Sequence, residues 1–156
     1  MLKIGETSLQ VLGLAWWKWI AIILVLFALT AGMILDVPRL PILHETIRNL
    51  YYHVTQWFGM MMILTASLVY SIIHLAKGDR RSDIIASEAV NVALFLGVLG
   101  LLTGMLWAKN TWGAYWTGDA KLNGSAMGML VYLAYTVLRG SMDEEQKRGR
   151  VAAVYN

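Results

Sequence analysis

One histidine and a run of aromatic rings are the side chains best equipped for chemistry in this 156-residue chain. The rings lie in Trp107-Ala-Lys-Asn-Thr-Trp112-Gly-Ala-Tyr115-Trp116-Thr-Gly-Asp119, four of them within ten residues, interrupted by Gly113 and followed by Gly118 and Asp119. Aromatic residues at a bilayer interface ordinarily form an anchoring belt, but a belt needs only one or two rings at each helix end. A denser run that can bend at glycine is able to form a shelf whose ring faces stay available, and such faces bury a large planar group such as a haem macrocycle. An interface belt and a ligand platform both fit these residues.

The chain has three histidines, His44, His53 and His74. His53 opens an apolar stretch in Arg48-Asn-Leu-Tyr-Tyr-His53-Val, and imidazole is the side chain best suited to coordinate iron above an aromatic shelf. Taken alone, a histidine at a helix mouth is more often structural. His74 follows 21 positions later, roughly 30 Å along a helix axis, so the two cannot share one metal within a single chain. His74 beside Lys77 reads as a boundary residue, and His44 near Pro41 reads as a solvent-facing one.

The elements that must position these groups are apolar helices. Hydrophobic residues make up 58% of the chain and charged residues only 15%, too few to clothe a soluble domain. Stretches 19–35, 49–76, 89–108 and 122–138 contain no Asp, Glu, Lys or Arg. About 20 apolar residues span a hydrocarbon core of about 30 Å. An all-α bundle crossing the membrane about four times is therefore expected, with spans near 16–35, 53–76, 89–108 and 121–138 in a single domain over 1–156. Trp16, Trp17 and Lys18 can anchor the first span. The first run lacks a small-residue cleavage site and does not read as a signal peptide. Gly124 and Gly128 make the fourth span the weakest.

Basic residues set the expected orientation. With the N-terminus cytoplasmic, Lys3, Lys18, Lys77, Arg80, Arg81, Arg139, Lys147, Arg148 and Arg150 fall inside, and Arg39, Arg48, Lys109 and Lys121 outside. His53 and the Trp-rich segment then share the outer face, where the connector containing Pro38 and Pro41 can meet them. Segment 141–156, with Ser141 or Asp143 as candidate cap, is expected to start a further helix on the cytoplasmic side and to lead into another span.

Several chemistries fail on inventory. With no cysteine there is no thiol catalysis or thiolate metal site, and there is no Gly-rich phosphate loop and no paired acidic or histidine motif for a di-metal centre. No charged residue falls in mid-span, which argues against a proton-coupled transporter. The net charge of +3 suits lipid headgroups better than nucleic acid.

Arg48-Asn-Leu-Tyr-Tyr-His53-Val resembles the Arg-x-x-Tyr-x-His-Val stretch of the CcmC family, the haem-handling proteins of cytochrome c maturation. Thr103-Gly-Met-Leu-Trp107 followed by Trp112-Gly-Ala-Tyr115-Trp116-Thr-Gly-Asp119 resembles the "WWD" signature of the wider haem-handling superfamily. The resemblance covers nearly the whole chain. It implies a membrane protein, not an enzyme, that holds haem b at the outer face of the cytoplasmic membrane and passes it to a haem chaperone for c-type cytochrome assembly. The implied partners are that chaperone, subunits of an ABC-type transporter, a small single-span membrane protein and the lipid bilayer. His53 would be an axial iron ligand. Trp112, Gly113, Trp116 and Asp119 would belong to the platform, and Trp107 and Tyr115 would line it. Electrostatics adds Arg48 and Lys121 as candidate partners of the haem propionates. Thr55 stands where relatives carry Pro, and Thr117 and Gly118 replace bulkier residues. Relatives carry six spans and a second axial histidine between the fifth and sixth, so the chain reads as a shortened or partial version lacking that ligand. The competing readings are a structural helical subunit with an interfacial Trp belt and a haem-dependent membrane electron carrier. The carrier would need two histidines facing each other at similar depth.

Overall fold

In the computed structural model, which describes residues 10–11 and 14–156, the chain is helical apart from one minimal hairpin. The hairpin pairs β1 (Gln10–Val11) with β2 (Leu14–Ala15) antiparallel, Gln10 opposite Ala15 and Val11 opposite Leu14. It leads directly into α1 (Trp16–Ile34), whose only buried residue is Gly32. A helix apolar around its whole circumference needs a surrounding of equal apolarity, and 19 residues give about 28 Å of rise. Residues up to Pro38 form one compact unit and Arg39–Asn156 form another.

The second unit is built on a long helical hairpin. A 3-10 turn (Glu45–Arg48) enters α2 (Asn49–Lys77), and α3 (Arg80–Trp112) runs back beside it. The reversal takes two residues. Gly78 adopts φ +67°, a left-handed conformation that a side chain would strain, and its N–H bonds back to the His74 carbonyl at 2.8 Å. Asp79 then caps α3, its carboxylate accepting from the backbone N–H groups of Arg81 (3.2 Å) and Ser82 (3.1 Å) and from the Ser82 hydroxyl (2.8 Å). These donors, the Ser82 hydroxyl foremost, hold the Asp79 carboxyl below its ordinary pKa. α4 (Ala120–Gly140) and the short α5 (Glu145–Tyr155) complete the unit.

Among the described residues, three helical segments are long and apolar enough to cross a membrane: Trp16–Ile34, Glu45–Lys77 and Arg80–Trp112. At 21 residues α4 is long enough to span as well, about 31 Å, and it carries the polar and glycine content that marked it as the weakest span. The expected all-α architecture is therefore the observed one, with longer elements. α2 starts at Asn49 instead of 53, and α3 covers 80–112 where 89–108 was expected. Uncharged runs mark what must lie in hydrocarbon, whereas helices continue through polar residues until a glycine or a cap stops them.

The packing of α2 on α3 rests on small residues. Gly97, Gly100 and Gly104 present flats on α3, and Met60, Trp57 and His53 of α2 lie over them in that order. A Cβ at Gly97 would come within 2.9 Å of the Met60 sulfur and one at Gly100 within 2.9 Å of the Trp57 ring. Met60, Ala93 and Met129 form one core cluster, bringing α4 against the hairpin. A second cluster, Val90, Tyr135 and Ala152, brings in α5, whose Gly149, Ala152 and Ala153 are buried. The helix expected within 141–156 is thus present, but it starts at the Glu144 cap position with no side-chain cap from Ser141 or Asp143, and its small-residue face packs onto the hairpin.

Candidate functional site at the aromatic end of the hairpin

His53 sits one turn inside the N-terminus of α2 because α2 begins at Asn49. The Asn49 side chain ties that start to α3, its amide donating to the Thr103 carbonyl at 2.9 Å. The His53 ring lies flat enough on α3 that a Cβ at Gly104 would sit 2.7 Å from its Cε1. Its hydrogen bonds both use Nδ1, which is 2.9 Å from the Gly100 carbonyl and 3.2 Å from the Thr103 hydroxyl. Two indoles flank it edge-on: Trp57 with ring centroids 6.2 Å apart, and Trp107 at 5.9 Å.

Trp107 lies in the last turns of α3, inside the expected third span, and the helix runs on to Trp112, which the charge pattern put in the connector. Its indole N–H donates to the Thr46 hydroxyl at 3.2 Å, fastening the helix end to the turn that precedes α2. The Thr46 hydroxyl is itself bonded to the Leu43 carbonyl. The connector that contains Pro41 and the Trp-rich segment therefore meet through Thr46 and Trp107 at this end of the hairpin. His44 is exposed there with φ +46°.

Gly113 at φ +83° and Gly118 at φ +70° give the segment between α3 and α4 its two bends. Asp119 closes it as the cap of α4. Its Oδ1 accepts from the N–H groups of Lys121 (2.9 Å) and Leu122 (3.0 Å), and its Oδ2 accepts the Thr117 hydroxyl (2.5 Å). The Thr117 hydroxyl, with the Leu122 and Lys121 N–H groups behind it, holds the Asp119 carboxyl below its ordinary pKa. Thr117 thus has a local task.

A cavity of about 310 Å³ opens between these elements, and His53, Trp57, Trp107, Trp112, Asp119 and Lys121 all contribute to its lining. Of the residues singled out from the sequence, five therefore converge. Gly113, Tyr115 and Trp116 lie outside the lining, as does Arg48. Tyr115 and Trp116 are exposed, and the Lys109 ammonium stands 5.6 Å from the Tyr115 ring centre while bonding the Gly113 carbonyl at 2.8 Å.

The sequence reading missed Trp57, Gly100 and Gly104. The signal was present in the spacing: Trp57 is four residues from His53, hence on the same helix face, and Gly100 and Gly104 bear the same relation on α3.

Chemically, the arrangement suits a flat, largely apolar group that carries its own metal. Among the described residues no three His, Asp or Glu side chains gather, so a bare ion has no cage. A macrocycle supplies the equatorial donors itself and needs from the protein an axial base, aromatic walls and a cation near its carboxylates. His53, the three indoles and Lys121 bring groups of those kinds to the cavity lining. The volume is at the small end for ligand sites, which run from about 300 to 1,000 Å³. It suits partial enclosure of such a ring.

A family model described as heme exporter protein C, CcmC, matches residues 6–156. The heme exporter protein C of Bradyrhizobium diazoefficiens is 29% identical over 109 residues, 70% of this chain and 41% of that protein. The heme exporter protein C of Escherichia coli K12 is 25% identical over 107 residues, 69% of this chain and 44% of that protein. The cytochrome c biogenesis protein CcsA of Parasynechococcus marenigrum is 30% identical over 82 residues, 53% of this chain and 27% of that protein. The chain spans less than half the length of these relatives.

Proposed function

The chain belongs to the heme exporter protein C family, and on that premise we propose that it binds haem b and presents it for delivery during the assembly of c-type cytochromes. His53 is an axial ligand of the iron. Trp57, Trp107 and Trp112 cover the ring, and Lys121 faces the propionates, with Arg48 as a second cation at the same end. Gly113 and Asp119 shape the platform, and Tyr115 and Trp116 extend it outward. The protein makes and breaks no covalent bond. It lies in the cytoplasmic membrane with both termini inside and the haem site on the outer face. A haem chaperone receives the haem, and ABC-type transporter subunits and a small single-span protein accompany the assembly.

The observation that carries this reading is the convergence of His53 and three tryptophans on one open cavity. The names of the relatives support the substrate: proteins so named export haem or serve cytochrome c biogenesis. The exposed Tyr115 and Trp116 also suit an interfacial belt, so the test must report on the ligand itself. Purified protein in nanodiscs, titrated with haem, should develop a Soret band that His53→Ala weakens strongly. A spectrum identical in both proteins would remove His53 from the site, and no bound haem in either would favour the belt. Orientation has its own test. Single cysteines at exposed Asn110 and exposed Arg81 should differ toward an impermeant thiol reagent, Asn110→Cys reacting from outside; the reverse pattern would invert the topology.

A further inference from the structure

The hydrogen-bond partners of His53 restrict its chemistry more tightly than its position does. A backbone carbonyl can only accept, so at 2.9 Å from the Gly100 oxygen Nδ1 must carry the proton. The second partner agrees. The Thr103 hydroxyl already donates to the Leu99 carbonyl at 2.8 Å, which leaves its oxygen to accept at 3.2 Å from the same Nδ1–H. In the neutral ring, Nε2 then holds the lone pair. Such a tautomer can bind a metal through Nε2 while its opposite N–H is polarised by an acceptor, which makes the ligand nitrogen more basic.

This hydrogen bond exists only because the ring can approach the α3 backbone. At Gly104 a Cβ would stand 2.7 Å from Cε1 and 3.3 Å from Nδ1 of His53. Both atoms belong to an imidazole that meets the Trp57 and Trp107 indoles edge-on, with centroids 6.2 and 5.9 Å away. A methyl group there would push the ring away from α3 and so lift it from the Gly100 carbonyl. By contrast, a Cβ at Gly124 or Gly128 on α4 would meet nothing within 4 Å.

We infer that Gly104, Thr103 and the Gly100 carbonyl are the positioning residues of the site, seating His53 as its Nδ1–H tautomer so that Nε2 is the iron-binding nitrogen. The part concerning iron rests on the proposed haem binding; the tautomer does not. An Nδ1–H shared by two acceptors pushes electron density toward Nε2, which favours ferric over ferrous iron and lowers the reduction potential of bound haem.

The tautomer is read without haem. In protein labelled with ¹⁵N-histidine and held in nanodiscs, with His53 resonances assigned by their loss in His53→Gln, Nδ1 should show the shift of a protonated nitrogen and Nε2 that of an unprotonated one. The opposite pattern overturns the inference whether or not haem binds. Gly104→Ala should abolish that pattern and weaken haem binding by about 10–100-fold, the usual cost of losing an outer partner of a ligand. Gly124→Ala, which also adds a methyl group to a helical glycine, should change neither. Thr103→Val should raise the reduction potential of bound haem and Thr103→Ser should restore it. An unchanged His53 pattern in Gly104→Ala, or an equal potential in the valine and serine variants, would overturn the assignment of these residues. If the wild-type protein binds no haem while the tautomer is as stated, the proposed function fails and the seating of His53 stands.

Discussion

The two ends of the α2–α3 hairpin each hold a histidine from α2, and in both the ring is near a backbone carbonyl. At one end His53 Nδ1 meets the Gly100 oxygen, and at the other His74 Nδ1 meets the Asp79 oxygen, both at 2.9 Å. Their surroundings differ. His53 is half-buried among indoles beside a cavity, whereas His74 is buried and covered by α5, where a Cβ at Gly149 would stand 2.8 Å from its Nε2. Beside His74, Asp83 and Arg139 make a paired contact, each guanidinium nitrogen 2.7 Å from its own carboxylate oxygen. Asn156 donates from its amide to Ser67 (2.7 Å) and Ser71 (2.9 Å) in the same half of the hairpin. One end is thus filled by its own polar groups and the other is left open beside an imidazole. A histidine on a membrane helix is therefore not by itself a ligand; what its second nitrogen faces decides.

The contrast can be broken most forcefully at the closed end. The Asp83 and Arg139 side chains are only 8% and 15% exposed, so Asp83→Ala leaves a guanidinium buried without its counter-charge. A loss of about 3–5 kcal/mol is expected, measured as a lower midpoint of unfolding in detergent, with the cavity at the open end disturbed only as a consequence. Arg80 and Glu145, paired at 2.5 Å but largely exposed, provide the comparison: Glu145→Ala should cost at most about 1 kcal/mol. Equal losses would mean that the closed end is not held by its buried pair.

A smaller effect should separate the two histidines. His74→Ala should lower stability, since it empties a buried position, yet leave haem affinity near that of the parent, whereas His53→Ala should do the reverse. Matching haem loss in both variants would erase the distinction between the ends.

The smallest effect concerns pH at the open end. The folded pKa of Asp119 lies below its ordinary 3.8, so its capping contribution is complete above that value. It fades as pH falls through the lower, folded pKa. Protection of the Lys121 and Leu122 amides from hydrogen exchange should therefore persist at pH 5 and drop only in strong acid. Asp119→Asn should remove that dependence while keeping an acceptor for the cap. A drop in protection already at pH 5 would contradict the bonded carboxylate.

Much of this organisation was legible in the residues. Gaps between charges marked the apolar helices, and Gly113, Gly118 and Asp119 marked the bent segment before α4. Residue type, motif resemblance and charge single out His53, Trp107, Trp112, Asp119 and Lys121. What escaped depended on partners distant in sequence. Asp83 reads as an ordinary first-turn acidic residue until Arg139, 56 positions away, closes on it. His74 reads as a boundary residue until α5 folds over it. Trp57 looked like one apolar residue among many, because only the glycine flat on the neighbouring helix reveals which of them it touches. Local patterns encode helices well, whereas packing between helices is encoded in pairs of positions that no single window contains.

The flats at Gly97, Gly100 and Gly104 accept three unlike occupants, a thioether, an indole and an imidazole, in successive turns of α2. They work like notches on a rule. A side chain on α2 can enter at one notch or the next, but not between, because each step of three or four residues advances about 5–6 Å along the axis. The depth at which a nitrogen base can be offered is therefore quantised by backbone geometry. Exchanging the occupants of positions 53 and 57 would move the base by one whole notch and leave the two helices where they are.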